Sequence, residues 1–240
     1  MVTKNQIKLV TSLQQKKYRS QHGLFFVEGK KTVGELLKAG LPLYALYVDK
    51  EVMAANFEGA ELVTARELKQ MGGQTSPSGV LGVFHMPKSK EIDIADWVLA
   101  LDAIRDPGNL GTIIRLCDWF GIKELICSRD TVDCYNPKVL QATMGSIARV
   151  NINYLDLLDW LKNSSLPIYG AFMDGEVVYR HKLPKKGILV MGNEANGISK
   201  EVDKLITQKI AIPQFGTQTT ESLNVATASA ILLNEIRRES

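Results

Sequence analysis

Ile188-Leu189-Val190-Met191-Gly192-Asn193-Glu194-Ala195-Asn196-Gly197 is a short apolar strand running into a turn of glycine, asparagine and glutamate. Four apolar residues without polar alternation fit a strand buried on both faces, the habit of parallel sheets covered by helices. The turn behind the strand leaves backbone N–H and C=O groups without ladder partners, so it is expected to hold a polar small molecule. Trp97 to Leu101 has the same unbroken apolar character. Around these two strands the pattern alternates: a helix from Leu110, a strand at Glu124 to Cys127, and helices near Val139 to Ala148 and Leu155 to Lys162. Strands at Ile168 to Phe172 and Lys209 to Pro213 follow, and a helix from Ser222 to about Arg238 closes the chain. The expected fold class is α/β with a mostly parallel sheet over residues 96–240.

Upstream lies a second α/β block, residues 1–86. Ile7, Leu9, Val10 and Leu13 predict a short amphipathic helix, Leu24 to Val27 a strand, and Lys31 to Ala39 a helix stopped by Gly40. Tyr44 to Val48, Glu61 to Thr64 and Gly79 to Phe84 predict strands, with a helix between them at Ala65 to Met71. The polar, proline-punctuated stretch 87–95 is the expected linker.

Composition narrows the classes. The 240 residues are 45% hydrophobic and 23% charged, ordinary for a globular protein with a real core. No apolar run approaches about 20 residues, so a membrane-spanning helix is not expected. Met1-Val2-Thr3-Lys4 opens no signal-peptide pattern, and a cytoplasmic protein is expected. Cys117, Cys127 and Cys134 have neither CxxC spacing nor an even count, which favours buried small side chains over zinc or disulfides. His22, His85 and His181 lie outside the turns, so neither a metal site nor a Ser–His–Asp arrangement is expected. Net charge is only +3, yet Lys4, Lys8, Lys16, Lys17, Arg19, Lys30 and Lys31 face a single acid, Glu28, within the first 31 residues. A polyanion partner and a solvated helix face fit that asymmetry equally well. If the partner is a phosphate-bearing polyanion, Lys16, Lys17, Arg19, Lys30 and Lys31 are expected on its phosphates.

Two further segments share the character of the first turn. Asp106-Pro107-Gly108-Asn109-Leu110-Gly111 is a turn opening a helix, with Asn109 as the expected N-cap. Leu110, Ile113, Ile114, Cys117 and Phe120 form that helix's apolar face, and Arg115 lies off it. Arg115 fits phosphate or ribose recognition near the turn, or a local ion pair with Asp118. Ile212-Pro213 ends a short strand, and Ser222-Leu223-Asn224-Val225-Ala226 opens a small-residue helix, which is either interface-forming or simply rich in alanine. Neither GxGxxG nor GxxxxGK[ST] is present, which removes support from nicotinamide and NTPase functions.

In this order, Asp106-Pro107-Gly108-Asn109-Leu110-Gly111-Thr112-Ile113-Ile114-Arg115, Val190-Met191-Gly192-Asn193-Glu194-Ala195-Asn196-Gly197-Ile198-Ser199, and Ile212-Pro213 with Ser222-Leu223-Asn224-Val225-Ala226 resemble the SpoU (TrmH-type) RNA ribose methyltransferases of the SPOUT class. The resemblance implies a SPOUT-type fold with a C-terminal trefoil knot and S-adenosyl-L-methionine as cofactor. It further implies a homodimer through the knot region and a small RNA-binding module in the first block. The implied activity is methyl transfer to a ribose 2′-hydroxyl, of ribosomal RNA ahead of transfer RNA. By position, Met191, Gly192, Ile212 and Leu223 would line the cofactor site, and Asn109, Arg115, Glu194, Ser222 and Asn224 would surround the reacting ribose. Leu116-Cys117 and the threonine-rich 217–220 depart from the family's commoner residues without removing a chemical group. A non-catalytic RNA-binding or ribosome-assembly factor on the same scaffold is the competing class, and the intact polar set argues against it.

Overall fold

The computed structural model describes residues 2–53, 57, 59–74, 76–180, 182–216 and 222–238. His181 and the threonine-rich 217–220 therefore lie outside the described residues. In chain order the elements begin α1 (Lys4–Ser12), α2 (Lys16–His22), β1 (Leu24–Glu28), α3 (Lys30–Lys38), β2 (Leu43–Val48), α4 (Lys50–Met53), β3 (Glu61–Leu62), α5 (Ala65–Met71) and β4 (Val80–His85). They continue with β5 (Val98–Leu101), α6 (Pro107–Trp119), β6 (Glu124–Ser128), α7 (Pro137–Thr143), β7 (Asn151–Leu155), α8 (Leu157–Lys162), β8 (Ile168–Val177), β9 (Ile188–Met191), α9 (Lys200–Asp203), β10 (Gln208–Ala211) and α10 (Val225–Arg237).

Two compact units emerge, but the chain is not cut once between them. The first unit takes Met1–Lys88 together with Asp133–Ala148, and the second takes Ser89–Val132 and Arg149–Ser240. The single boundary expected at 87–95 thus misses a return of the chain to the first unit. Contacts distant in sequence explain the return. Tyr135 packs its ring on Phe25, with centroids 4.8 Å apart, and Asp133 pairs with Arg19 at 2.5 Å. The helix expected near Val139 to Ala148 begins at Pro137 and stops at Thr143. Met144 and Gly145 adopt positive φ, and a 3₁₀ turn, Ser146–Ala148, follows.

The first unit has a four-stranded sheet ordered β1-β4-β2-β3, in which β4 runs antiparallel to both neighbours. A capping box between Thr3 and Gln6 starts α1, whose Val10 joins Leu13, Phe26, Tyr47, Met71 and Leu81 in the core. Such reciprocal capping satisfies two otherwise orphaned backbone donors. Arg19 corrects the sequence reading. It is 2% exposed, donates to the carbonyls of Leu13 and Gln14 as well as to Asp133, and so is a structural residue rather than a phosphate contact. Lys16, Lys17, Lys30 and Lys31 are exposed.

The second unit is a six-stranded sheet, β10-β8-β9-β5-β6-β7, parallel throughout. From β5 the chain first adds strands on one side, β6 then β7, and later places β9, β8 and β10 on the other. The strand order therefore reverses between β5 and β9. Crevices at such switch points, beyond the carboxyl ends of the strands, are where ligands of open α/β sheets bind. Leu101 and Met191 are register partners at those ends, so the loops beginning at Asp102 and Gly192 leave the sheet side by side.

The far end of this unit is tied by Arg237, near the end of α10, which donates to both carboxylate oxygens of Asp96 at 2.9 and 2.6 Å. That hydrogen bonding outweighs burial and holds the Asp96 carboxyl below its ordinary range. A depressed carboxylate pKa gives stability that is complete above the unfolded value, near 3.9, and is lost as pH falls through the folded value. Asp96→Asn is therefore expected to cost about 1 kcal/mol at neutral pH, a figure discounted for solvent screening. In thermal melts, the gap from the parent protein should close in acid.

Candidate active site

Helix α6 begins earlier than Leu110. Asp106 is its N-cap, accepting the Asn109 N–H at 2.7 Å, and Pro107 occupies the first turn. A proline there forfeits no helical hydrogen bond, and aspartate is among the best N-caps. Asn109 is thus inside the first turn rather than capping it, and its side chain is released for other work. Its Nδ2 donates to Glu194 Oε1 at 2.7 Å. Its Oδ1 accepts from Asn224 Nδ2 at 2.9 Å.

Asn224 is itself fixed. It is the N-cap of α10, its Oδ1 accepting the N–H groups of Ala226 at 3.0 Å and Thr227 at 3.2 Å. The helix thus begins at Val225 rather than Ser222. One amide orientation at Asn224 satisfies the helix and Asn109 together. The result is a polarised chain from the α10 terminus through two amides to a carboxylate.

The Gly192–Gly197 turn is pinned by Asn193. Its Oδ1 accepts from the backbone of Ala195 at 2.9 Å and Asn196 at 3.2 Å, and its Nδ2 donates to Ala103 O at 2.6 Å. Asn193 and Gly197 also exchange backbone hydrogen bonds, 2.9 and 2.8 Å long. At Gly192 a Cβ would collide with the backbone carbonyl carbon of Gly197 and the nitrogen of Ile198. Only glycine lets the two strands of this turn approach so closely. The buried Asp102 carboxylate accepts the Ser199 N–H at 2.7 Å and holds the far side of the turn.

Between this turn, the end of β10 and the start of α10 lies a cavity of about 720 Å³. Met191, Gly192, Ile212 and Leu223, expected at the cofactor, and Glu194 and Ser222, expected at the ribose, all border it. Its apolar floor, buried Ile210, Val225 and Leu232, joins them, as do residues 171–173 of β8. Ala171 and Phe172 end the strand expected from the sequence and Met173 lies just beyond it, and no local pattern marks any of the three as a cavity wall. Asn193 and Asp102 had a signal that went unused: Asn or Asp directly after a strand commonly closes a turn on its own backbone.

The cavity suits S-adenosyl-L-methionine. Its size falls within the roughly 300–1,000 Å³ of small-ligand sites, and an apolar floor beside exposed turn backbone matches an aromatic base with a polar, charged tail. Leu223, 47% exposed at the border, presents apolar surface that a ring would cover.

Arg115 stands apart. It is exposed on α6 and has no hydrogen bond or ion pair among the described residues. Its expected alternative partner, Asp118, is taken by Arg149, whose Nε and Nη2 approach the carboxylate at 2.9 and 2.7 Å. Nor does the Gly108 carbonyl engage it, since Thr112 Oγ1 donates there at 2.8 Å. The structure thus joins Asn109, Glu194 and Asn224, places Ser222 at the cavity, and leaves the Arg115 guanidinium uncommitted. All three cysteines are buried, and burial pushes the Cys117 thiol up.

Comparison with known proteins agrees with this geometry. The SpoU rRNA Methylase family model matches residues 96–234, and a model of the MRM3-like substrate binding domain matches residues 4–82. The 23S rRNA (guanosine(2553)-2′-O)-methyltransferase RlmP of Bacillus subtilis is 32% identical over 98% of this chain and 97% of its own. A putative RNA methyltransferase of the TrmH family from Porphyromonas gingivalis superposes with a TM-score of 0.90 and 40% identity, covering 100% of both chains. An AdoMet-bound rRNA methyltransferase from Sinorhizobium meliloti gives a TM-score of 0.86 at 31% identity, over 99% of this chain and 96% of that one. The matched family model spans more than half the sequence and contains every residue of the cavity and its hydrogen-bonded chain, so this protein belongs to the SpoU rRNA methylase family.

Proposed function

We propose that the protein is an S-adenosyl-L-methionine-dependent methyltransferase acting on a ribose 2′-hydroxyl, of ribosomal RNA ahead of transfer RNA. The carrying observation is the Glu194–Asn109–Asn224 chain at the edge of the cavity. A cavity alone would suit many small ligands. A carboxylate aimed by two amides beside that cavity supplies acceptor chemistry as well.

Bound in the cavity, the cofactor supplies an electrophilic methyl group on a cationic sulfur. The residues then have separable tasks. Met191, Ile212 and Leu223 hold apolar surface, and Gly192 keeps the turn backbone within reach. Asn109 and Asn224 fix the direction of Glu194. Among Asn109, Arg115, Glu194, Ser222 and Asn224, only Glu194 is an acceptor-only group, so it is the one suited to receive the hydroxyl proton. Arg115 offers guanidinium donors and no acceptor. Its role is to bind phosphate or ribose and to stabilise charge developing on the attacking oxygen. Ser222 orients the hydroxyl. Charge on the reacting groups would be dispersed rather than created, so positioning by these residues contributes most of the acceleration.

The same reading includes a trefoil knot in the C-terminal chain, pairing of two copies through that region, and a cytoplasmic location. No helix among the described residues is long and apolar enough to cross a membrane. Lys16, Lys17, Lys30 and Lys31 are the phosphate contacts of the first unit. The test uses labelled S-adenosyl-L-methionine with separated ribosomal and transfer RNA from cells lacking the gene. Label is expected in the ribosomal fraction. Label confined to transfer RNA would replace the substrate, and label in neither would support the binding-factor alternative.

A further inference from the structure

The first unit carries a cavity of its own, about 700 Å³, bordered by side chains from β1, α3, the loop after α5, and α7. Its border is largely polar: Glu28, Thr32, Gln74, Ser76, Lys138 and Gln141 are on it, with Phe26 contributing apolar surface. The loop wall is held by Glu28, whose Oε1 accepts the Gly73 N–H at 2.9 Å. A Cβ on Gly72 would overlap that carboxylate, so the loop approaches it as closely as a backbone can. The carboxylate is thereby committed to the wall.

Two further observations point to a ligand. Thr32 is 5% exposed, borders the cavity, and has no hydrogen-bond partner among the described residues. On a residue otherwise so buried, an unpartnered hydroxyl that opens onto a polar cavity invites a ligand atom. Thr32 also lies in the first turn of α3, a nine-residue helix that starts at Gly29 with φ 106° and no capping side chain. The first-turn N–H groups of a helix have no intrahelical acceptor, and together with the helix dipole they favour an anion. Lys30 and Lys31, exposed in the same turn, add positive charge.

Building on the RNA-substrate reading above, we propose that this cavity receives one unstacked nucleotide of the RNA. Its phosphate rests on the start of α3 between Lys30 and Lys31, Thr32 Oγ1 donates to it, and the base edge meets the amides of Gln74 and Gln141. Sequence-selective RNA recognition works mainly on splayed single-stranded bases, and amide side chains serve either polar face of a base edge. The cavity would thus choose the target loop independently of the methyl-transfer site.

The test is fluorescence anisotropy of the full chain with a labelled, mixed-sequence RNA hexamer, run beside inorganic phosphate as competitor and beside the methyl-transfer assay. Thr32→Val keeps shape and removes the hydroxyl. Gln141→Trp, at an exposed position, fills the cavity from its rim. Both should melt like the parent protein and bind the hexamer about tenfold more weakly, the loss expected of one hydrogen bond to a charged group. Hexamer binding by both variants at parental strength overturns the proposal even if methyl transfer is intact, as does failure of the parent protein to bind the hexamer. Loss of binding in the variants upholds the site even if the parent methylates no RNA, an outcome that would sink the methyl-transfer reading alone. Phosphate displacing the hexamer no better than chloride at equal ionic strength would also count against the phosphate seat at α3.

Discussion

Gly192→Ala is expected to abolish measurable S-adenosyl-L-methionine binding in titration calorimetry. The added methyl meets main-chain atoms of Gly197 and Ile198, not the end of a flexible side chain. No rotamer change relieves the overlap. Either the paired backbone hydrogen bonds of Asn193 and Gly197 break, or β9 shifts against β5. Overpacking of this kind costs about 1–3 kcal/mol, so the protein should still fold, with a lowered melting temperature. The binding loss is disproportionate because the same turn borders the cavity and carries Glu194. The control is Gly197→Ala, where a Cβ would meet nothing within 4 Å. Its positive φ of 67° strains the substitution, and Gly197 itself borders the cavity, so weakened rather than absent binding is expected.

Asn109→Asp is the second large effect, and it acts on chemistry rather than on binding. The substitution keeps size and removes the N–H donor, setting a carboxylate where an amide met Glu194 at 2.7 Å. Two unit charges 4 Å apart repel by about 4 kcal/mol at an effective dielectric near 20, and by about 1 kcal/mol in bulk water. The side chains here are exposed, so repulsion nearer the lower figure applies. It is enough to turn Glu194 away. The turnover number should fall on the order of a hundredfold, consistent with loss of about 2.7 kcal/mol of transition-state stabilisation, while cofactor affinity changes little. A sign test separates this from misfolding. Like-charge proximity raises the pKa of the carboxyl pair, and once one carboxyl is protonated it can donate to the other. The activity of the variant relative to the parent should therefore rise as pH is lowered. A pH-independent ratio would mean the effect is steric.

What the sequence conveyed well was whatever depends on local pattern. The apolar runs at Val98–Leu101 and Ile188–Met191 are central strands because a sheet covered on both faces leaves no room for polar alternation. The turn at Gly192 was legible for a related reason: glycine and asparagine straight after such a strand have few other uses. β7 was not legible. Asn151-Ile152-Asn153-Tyr154 is half polar, and as an edge strand, paired on one side to β6, it is only partly buried. Residues 133–148 were assigned to the second domain because their attachment to the first depends on Asp133 meeting Arg19, 114 positions away. Nothing local announces such a pair, and for the same reason Arg19 looked like one more surface cation. The site was read in outline but not in its joints. That Asp106 rather than Asn109 caps α6 follows from proline's preference for the first turn, a rule that was available. That Asn109 then bridges Glu194 and Asn224 needed the folded sheet, which brings three distant segments to one switch point.

The central claim is that the turn at Gly192 and the Asn109–Glu194–Asn224 chain form one site for methyl transfer to ribose. Its most direct test is the position of the methyl group. Ribosomal RNA labelled by the protein with radioactive S-adenosyl-L-methionine is hydrolysed in alkali, which cleaves every linkage except those next to a 2′-O-methyl ribose. Label recovered in alkali-resistant dinucleotides, and lost with Asn109→Asp, is the predicted result. Label released with mononucleotides, as a methylated base would be, would contradict it.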